Sequence, residues 1–219
     1  MRKNTMIIVK EYRLDQHVYL RLLKAQELIS RMVVVSDEFL EGVLKIGGVD
    51  ASYHEDLAAV GFSVYDLSRN EVTLISVTIS SVKIPYVSTF FSFREGPIVL
   101  KALKKIGDEY DALLVNGHGL AHPRKCGLAT YLGVVLKKPT IGVANNPIGS
   151  MEEEYNVNNL RMFEGKYYYS VGNMITLEKA YEILKKTTPE DSKLPIPLKV
   201  AHRISHKMLN KVSRVVERV

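Results

Sequence analysis

The stretch ALLVNGHGLAHPRKCGLATYLGVV, Ala112 to Val135, decides the fold class. Ala112 to Val115 is a short apolar run with the character of a buried strand. It breaks into Asn116-Gly117-His118-Gly119, passes through a His-Pro-Arg-Lys cluster, and resumes as LATYLGVVL, a helix-like segment. A strand, a polar glycine-containing loop and a helix in that order point to an α/β sheet. Ligands in such sheets bind outside the carboxyl ends of the strands. His118, His122, Arg124 and Lys125 supply four donors within this loop. They suit phosphate oxygens at a helix start, or they are charges that face water.

Working outward, Val18, Leu22, Ala25, Ile29 and Met32 recur at steps of four and three, which predicts an amphipathic helix with one face on a core. Segment 43–49 leads to Asp50. Segments 58–65 and 71–79, separated by the turn signal DLSRN, complete three antiparallel strands. An aromatic loop with Phe90, Phe91 and Phe93 follows Pro85-Tyr86. A helix over 95–106 then takes Pro97 in its first turn. After strand 111–115 come a helix over 126–136 and a strand over 140–144. A polar insertion over 145–165 precedes a strand over 166–171 and a helix over 176–186. A last helix spans 198–218. Hairpin strands first and strand–helix alternation afterwards predict an α/β fold, a mixed sheet flanked by helices, forming a single domain over residues 1–219.

The 219 residues suffice for one substantial core, and 46% hydrophobic with 25% charged residues fits a soluble globular chain. No apolar run approaches the roughly 20 residues of a membrane span, and no secretory leader is evident. One cysteine, Cys126, excludes an internal disulfide and any Cys-based zinc finger. A cytoplasmic monomer is the expectation. Net charge is +6, and the stretch 193–219 holds the whole excess, with seven Lys or Arg against Glu217. In the last helix Lys199, Arg203, Lys207, Lys211, Arg214 and Arg218 share one face. That face is either a solvated side of a packed helix or an edge that meets phosphates.

Three oxygen-bearing side chains stand where chemistry needs them. Asp50 ends the first strand, Glu95 opens a helix, and Asn116 ends a central strand. Metal-assisted phosphodiester hydrolysis needs such groups to converge from different elements, because Mg²⁺ takes hard oxygen ligands. Singly, an Asp after a strand also serves as a turn residue and a Glu in a first helical turn complements the dipole. Tyr86, in a loop, is a core aromatic or a wedge between bases.

Taken together, GGVDASY around Asp50, PYVSTFFSFREGP around Tyr86 and Glu95, VNGHGLAHPRKCGLATYLGV, and PTIGVA resemble the endonuclease V family from about residue 14 to the last helix. The resemblance implies a ribonuclease-H-like fold and a DNA repair nuclease. Such an enzyme recognises deoxyinosine and hydrolyses the second phosphodiester bond 3′ to it, using Mg²⁺ or Mn²⁺. Damaged DNA or inosine-containing RNA would be the partner. By the same resemblance Asp50 and Asn116 hold the metal, with Glu95 catalytic beside them. Tyr86 is the wedge, Gly117, His118 and Gly119 shape the base pocket, and His122, Arg124 and Lys125 meet nucleic acid. The chain departs from the family pattern at Asn116 (aspartate), Tyr131 (histidine), Asn145 (lysine) and Asn173 (histidine), and in the loop 86–89. An amide oxygen at 116 brings no charge, so weak metal binding is expected. The alternative is a catalytically weakened member that binds inosine-containing nucleic acid without cutting it.

Overall fold

The computed structural model describes residues 6–9, 12–82, 87–147 and 157–216. Tyr86, Arg218 and part of the polar insertion lie outside them. A two-stranded antiparallel ribbon, β1 (Met6–Val9) and β2 (Tyr12–Asp15), leads into α1 (Gln16–Arg31). Asp15 caps this helix, accepting from the backbone N–H of His17 at 2.8 Å and of Val18 at 3.3 Å. The apolar face expected of α1 is poorly covered: Val18 and Met32 are 43% and 62% exposed, and the buried residue is Gln26. The helix packs against a loop and another helix rather than flat on the sheet, and a polar anchor takes the place of an apolar stripe.

Three strands form an antiparallel meander: β3 (Lys45–His54), β4 (Leu57–Asp66) and β5 (Glu71–Ser81). Helix α2 (Phe91–Leu103) crosses to β6 (Ala112–Asn116), which runs parallel to β3. Helix α3 (Leu128–Leu136) crosses to β7 (Thr140–Ala144), parallel to β6. Then come β8 (Arg161–Phe163) and β9 (Tyr167–Asn173), both antiparallel to their neighbours, and the helices α4 (Leu177–Thr187) and α5 (Ile196–Val216). The sheet order is β5-β4-β3-β6-β7-β9-β8. Ala112 to Val115 are fully buried because helices cover both faces, as parallel central strands require. Val49, Phe62, Val99, Leu113 and Leu132 form the core under α2 and α3; Ile46, Leu114, Ile141, Leu184 and Leu198 form the one under α4 and α5.

Short strand β8 falls inside the polar insertion expected over 145–165, and among the boundaries that shift from the sequence expectation two bear on function. Strand β3 runs on to His54, so Asp50 is interior; the chain turns at Glu55-Asp56, where Glu55 takes φ 50°. Helix α2 starts at Phe91, so Glu95 sits in its second turn and Pro97 is internal. Glu95 is therefore past the turn where it would complement the helix dipole.

The seating of α5 depends on two glycines. A Cβ on Gly48 would lie 2.4 Å from the Pro197 carbonyl carbon, and one on Gly61 would lie 2.1 Å from the Ala201 carbonyl oxygen. Only bare backbone lets the helix lie this close to β3 and β4. Ser63 Oγ donates to the Pro197 carbonyl at 2.8 Å and fixes the helix start.

Candidate active site

The last paired residues of β3 and β6 are Val49 and Val115. The next two, Asp50 and Asn116, stand side by side. Alternation along β3 turns Gly48, Asp50 and Ser52 toward α5, and Val49, Ala51 and Tyr53 toward α2. Asp50 is 3% exposed, so its carboxylate needs partners. It has two: Asn116 Nδ2 donates to Oδ1 at 2.5 Å, and His202 Nδ1 donates to Oδ2 at 2.8 Å. Ser52 and Ser205 share a hydroxyl hydrogen bond of 2.7 Å that pins α5 beside this contact.

His202 and His206 did not figure among the site residues expected from sequence. They are exposed on α5, with ring centroids 4.3 Å apart at 62°. One donor atom from each of Asp50, His202 and His206 lies within 4.8 Å of the others, a grouping able to hold a metal ion. The available signal was HRISH, since histidines at i and i+4 share a helix face.

Glu95 comes to the cluster from the α2 side. It is 3% exposed, and the Tyr53 hydroxyl donates to its Oε2 at 2.8 Å. Burial pushes the Glu95 carboxyl up to about 8; the Tyr53 hydrogen bond and Arg94 pull it down, and the Asp50 charge adds to the rise. Burial also raises the Tyr53 hydroxyl, helped by Glu95. The Arg94 guanidinium lies over the Tyr53 ring at 5.0 Å. At neutral pH Glu95 is thus mostly a neutral acid, while Asp50 accepts two hydrogen bonds. Asp50 and Asn116 meet directly; Glu95 is hydrogen-bonded by Tyr53 and feels the charge of Asp50.

The loop after β6 is tightly folded. Gly117 N–H donates to the Val143 carbonyl at 2.8 Å, and Gly119 N–H to Ser170 Oγ at 2.8 Å. A Cβ on Gly119 would lie 1.9 Å from the Val171 carbonyl oxygen, so this position needs glycine. His118 Nε2 meets the Asn146 carbonyl at 3.0 Å, and burial pushes its ring down to about 4. His122 and Arg124 turn inward. Gln26 Nε2, His122 Nε2 and Arg124 Nη2 all converge on the Thr89 carbonyl, at 2.7, 3.1 and 2.9 Å. Arg124 Nε also donates to Gln26 Oε1, and its guanidinium lies over the Phe90 ring at 4.9 Å. These two side chains brace the turn at 87–90. Lys125, with φ 52°, is exposed.

The other departures from the family pattern separate cleanly. Asn173 is a buried bolt: Oδ1 accepts from Val34 N–H at 3.0 Å and Nδ2 donates to the Gly133 carbonyl at 3.0 Å. Tyr131 packs its ring against bare Gly96, next to Glu95, and edge-on to Phe93 at 5.8 Å. Asn145 is exposed. On α5, Lys199, Arg203, Lys207, Lys211 and Arg214 are exposed. Among the described residues no helix is long and apolar enough to cross a membrane, and Cys126 is a buried free thiol.

Comparison with known proteins converges on one family. The family model for endonuclease V matches residues 27–167. The endonuclease V of Pyrococcus horikoshii is 39% identical over 185 residues, covering 84% of this chain and 83% of that protein. The endonuclease V of Ciona intestinalis, solved in complex with a 24mer DNA containing an inosine followed by a ribo-adenosine, superposes with a TM-score of 0.79. It is 24% identical, over 90% of this chain and all of that one. The catalytic domain of human endonuclease V superposes with a TM-score of 0.78 at 22% identity, over 91% and 98% of the two chains.

Proposed function

Because this chain belongs to the endonuclease V family, with its ribonuclease-H-like fold, and is a nuclease, a phosphodiester hydrolase, we propose that it nicks strands containing deoxyinosine. The cut falls at the second phosphodiester bond 3′ to the lesion, with Mg²⁺ or Mn²⁺ as cofactor. The observation that carries this reading is the buried Asp50 carboxylate bracketed by Asn116 and His202. It lies just past the end of the parallel pairing of β3 with β6, on the side of the sheet where α/β folds bind their ligands.

The family is metal-dependent, and the donors present fit a divalent cation: a buried carboxylate, an imidazole 2.8 Å from it and a side-chain amide. Asp50, Asn116 through its amide oxygen, and His202 would hold it. Such a cation, when bound, stabilises charge on the departing oxygen and makes water a stronger nucleophile. Glu95 holds a proton on a buried carboxyl, ready for exchange with a reacting oxygen, and Tyr53 orients it. His118 and the glycines on either side of it form the floor of a base pocket. Lys125 and the exposed cations of α5 line the path of the phosphate backbone, where each neutralised phosphate adds salt-dependent affinity. His122 and Arg124 act on substrate indirectly, by bracing the turn that follows Tyr86. Tyr86 itself serves as the wedge that holds the strand open while the base turns out.

One observation favours a second reading, a protein that binds inosine-containing nucleic acid and does not cut. Asn116 offers its N–H to Asp50 and brings no negative charge. The deciding assay is strand nicking of deoxyinosine duplexes and inosine RNA with Mg²⁺ or Mn²⁺, wild type beside Asn116→Asp. Nicking by the wild type supports the nuclease reading. Binding without nicking, with nicking recovered by the variant, replaces it with the binding reading. No preference for inosine over undamaged strands sinks both.

A further inference from the structure

Among the described residues of α1, Gln26 alone is fully buried, at 0% exposure. A buried primary amide costs stability unless both of its ends find partners. Here both do, and both partners are far away in the chain. Gln26 Nε2 donates to the Thr89 carbonyl at 2.7 Å, and Gln26 Oε1 accepts from Arg124 Nε. A carbonyl only accepts and a guanidinium only donates, so the orientation of the amide is fixed. The turn it grips has no local support of this kind: neither Val87, ahead of the turn at 88–90, nor Phe90, ahead of α2, makes a side-chain cap. The Phe90 ring is held as well, edge-on to Tyr19 of α1 at 5.5 Å and against the Arg124 guanidinium at 4.9 Å. Helix α1 thus holds the residues that directly follow Tyr86 in the chain by one carbonyl and one ring.

We infer that Gln26 is a positioning residue for duplex substrates, fixing through the Thr89 carbonyl the segment that leads out of the strand-opening wedge. The inference rests on the reading of this chain as an inosine-directed nuclease with Tyr86 as wedge, and it adds a residue of α1 to that reading. Turning a base out of a duplex costs unpairing and unstacking that an unpaired base has already undergone. A wedge displaced by about an ångström therefore fails first on paired strands. Glu95, one turn further into α2, has separate holds: the Tyr53 hydroxyl on its carboxyl and the Tyr131 ring against Gly96. Loosening the turn at 87–90 leaves that end of the site in place. The amide also ties the turn to the loop after β6, since Arg124 donates both to Gln26 and to the same Thr89 carbonyl. His122 completes the hold as a neutral ring: its Nδ1 accepts from the Arg124 N–H at 3.1 Å, which leaves Nε2 to donate to Thr89.

The test uses the full chain and one deoxyinosine-containing strand in three settings: in a duplex, unpaired, and in a duplex whose inosine lies in a bubble of mismatches. The readout is the nicking rate, or Kd where the chain binds without cutting. Gln26→Met keeps the length of the side chain and removes both hydrogen bonds. It should lower the duplex rate relative to the single-strand rate by about tenfold or more, and the bubble should recover most of that loss. The ratio does not depend on the folded fraction, so a partial loss of stability does not obscure it. Gln26→Glu keeps an acceptor for Arg124 but cannot donate to Thr89, and should behave like Gln26→Met. Tyr19→Leu, which loosens Phe90 and leaves the amide untouched, should move the ratio the same way. In the free protein the backbone amides at 87–92 should exchange hydrogen faster in Gln26→Met than in the wild type. Equal losses on all three substrates would show that Gln26 only holds the fold, and overturn the inference; so would wild-type behaviour of Gln26→Glu. A wild type with no preference for inosine removes the functional reading and the duplex role with it. Preference for inosine with an unmoved ratio in Gln26→Met removes only the inference.

Discussion

Asn116 donates its side-chain N–H to Asp50 Oδ1 at 2.5 Å, so two residues just past the end of the parallel pairing of β3 with β6 are joined by an amide–carboxylate hydrogen bond. An aspartate at 116 would instead set two carboxylates against each other, a contact that needs a cation between them. Asn116→Asp should therefore lower the stability of the chelated protein by about 2 kcal/mol, through the lost bond and the new repulsion. Added divalent cation should recover more stability in the variant than in the wild type. Thermal melts of both proteins, with chelator and with Mg²⁺, check this. Equal melting temperatures in chelator would show that the amide contributes nothing to holding Asp50.

Two buried groups, Glu95 and His122, and the half-buried His118 shape the pH dependence of stability. Burial raises Glu95 to about 8 and lowers His118 and His122 to about 4. The folded state binds the Glu95 proton more tightly than the unfolded chain, so that contribution is complete below about 4.5 and is lost as pH rises toward 8. The histidines are neutral when folded, so their contribution is present above about 6.5 and is lost as pH falls toward 4. Stability of the metal-free protein should peak between pH 6 and 7. On the alkaline side the slope should approach about 1.4 kcal/mol per pH unit. Glu95→Gln should flatten that side and steepen the acid side between about 4.5 and 6.5, where Glu95 opposes the histidines, as read by urea denaturation in chelator at stepped pH.

Gly61 admits α5 to the sheet: a methyl there meets the Ala201 carbonyl oxygen at 2.1 Å. Gly61→Ala should cost about 3 kcal/mol, because the obstacle is backbone and cannot rotate away. Metal affinity should fall along with stability, since the same displacement lifts His202 from Asp50. Denaturation midpoints and Mn²⁺ titration of the surviving folded protein measure the two effects separately.

Arg124 and His122 brace the turn at 87–90 through the Thr89 carbonyl. Arg124→Met should cost about 2 kcal/mol, since it removes the charge-assisted hydrogen bonds to Gln26 and Thr89 and takes this donor from the buried Gln26 Oε1. Arg124→Lys should recover little, because an ammonium cannot span Gln26 and Thr89 together as the planar fork does. Chemical denaturation gives both values; full rescue by lysine would show that only the charge matters.

Much of the architecture was legible because its signals were local. The apolar run 112–115, the DLSRN turn and Pro139 before β7 marked the central strands within a residue or two. What escaped depended on contacts distant in sequence. Asp50 reads as a strand end, yet β3 continues because β4 pairs with it as far as Leu57. Phe91 to Arg94 read as loop, yet α2 begins there beside a turn held by Arg124 and Gln26. His122 and Arg124 have the composition of a phosphate-binding loop; only tertiary packing shows that they turn inward. His202 and His206 were hidden among the cations of α5, where charge spacing drew the eye and the pairing with Asp50 spans 152 residues.

The order in which the chain emerges during synthesis gives α5 a further consequence. Asp50, Glu95 and Asn116 are made early, and their strands and crossover helices can pair before the carboxyl-terminal helix exists. Until α5 settles onto Gly48 and Gly61, Asp50 has no imidazole beside it. A growing polypeptide on the ribosome thus carries Asp50 without its His202 partner, and that contact forms only when α5 closes onto the sheet.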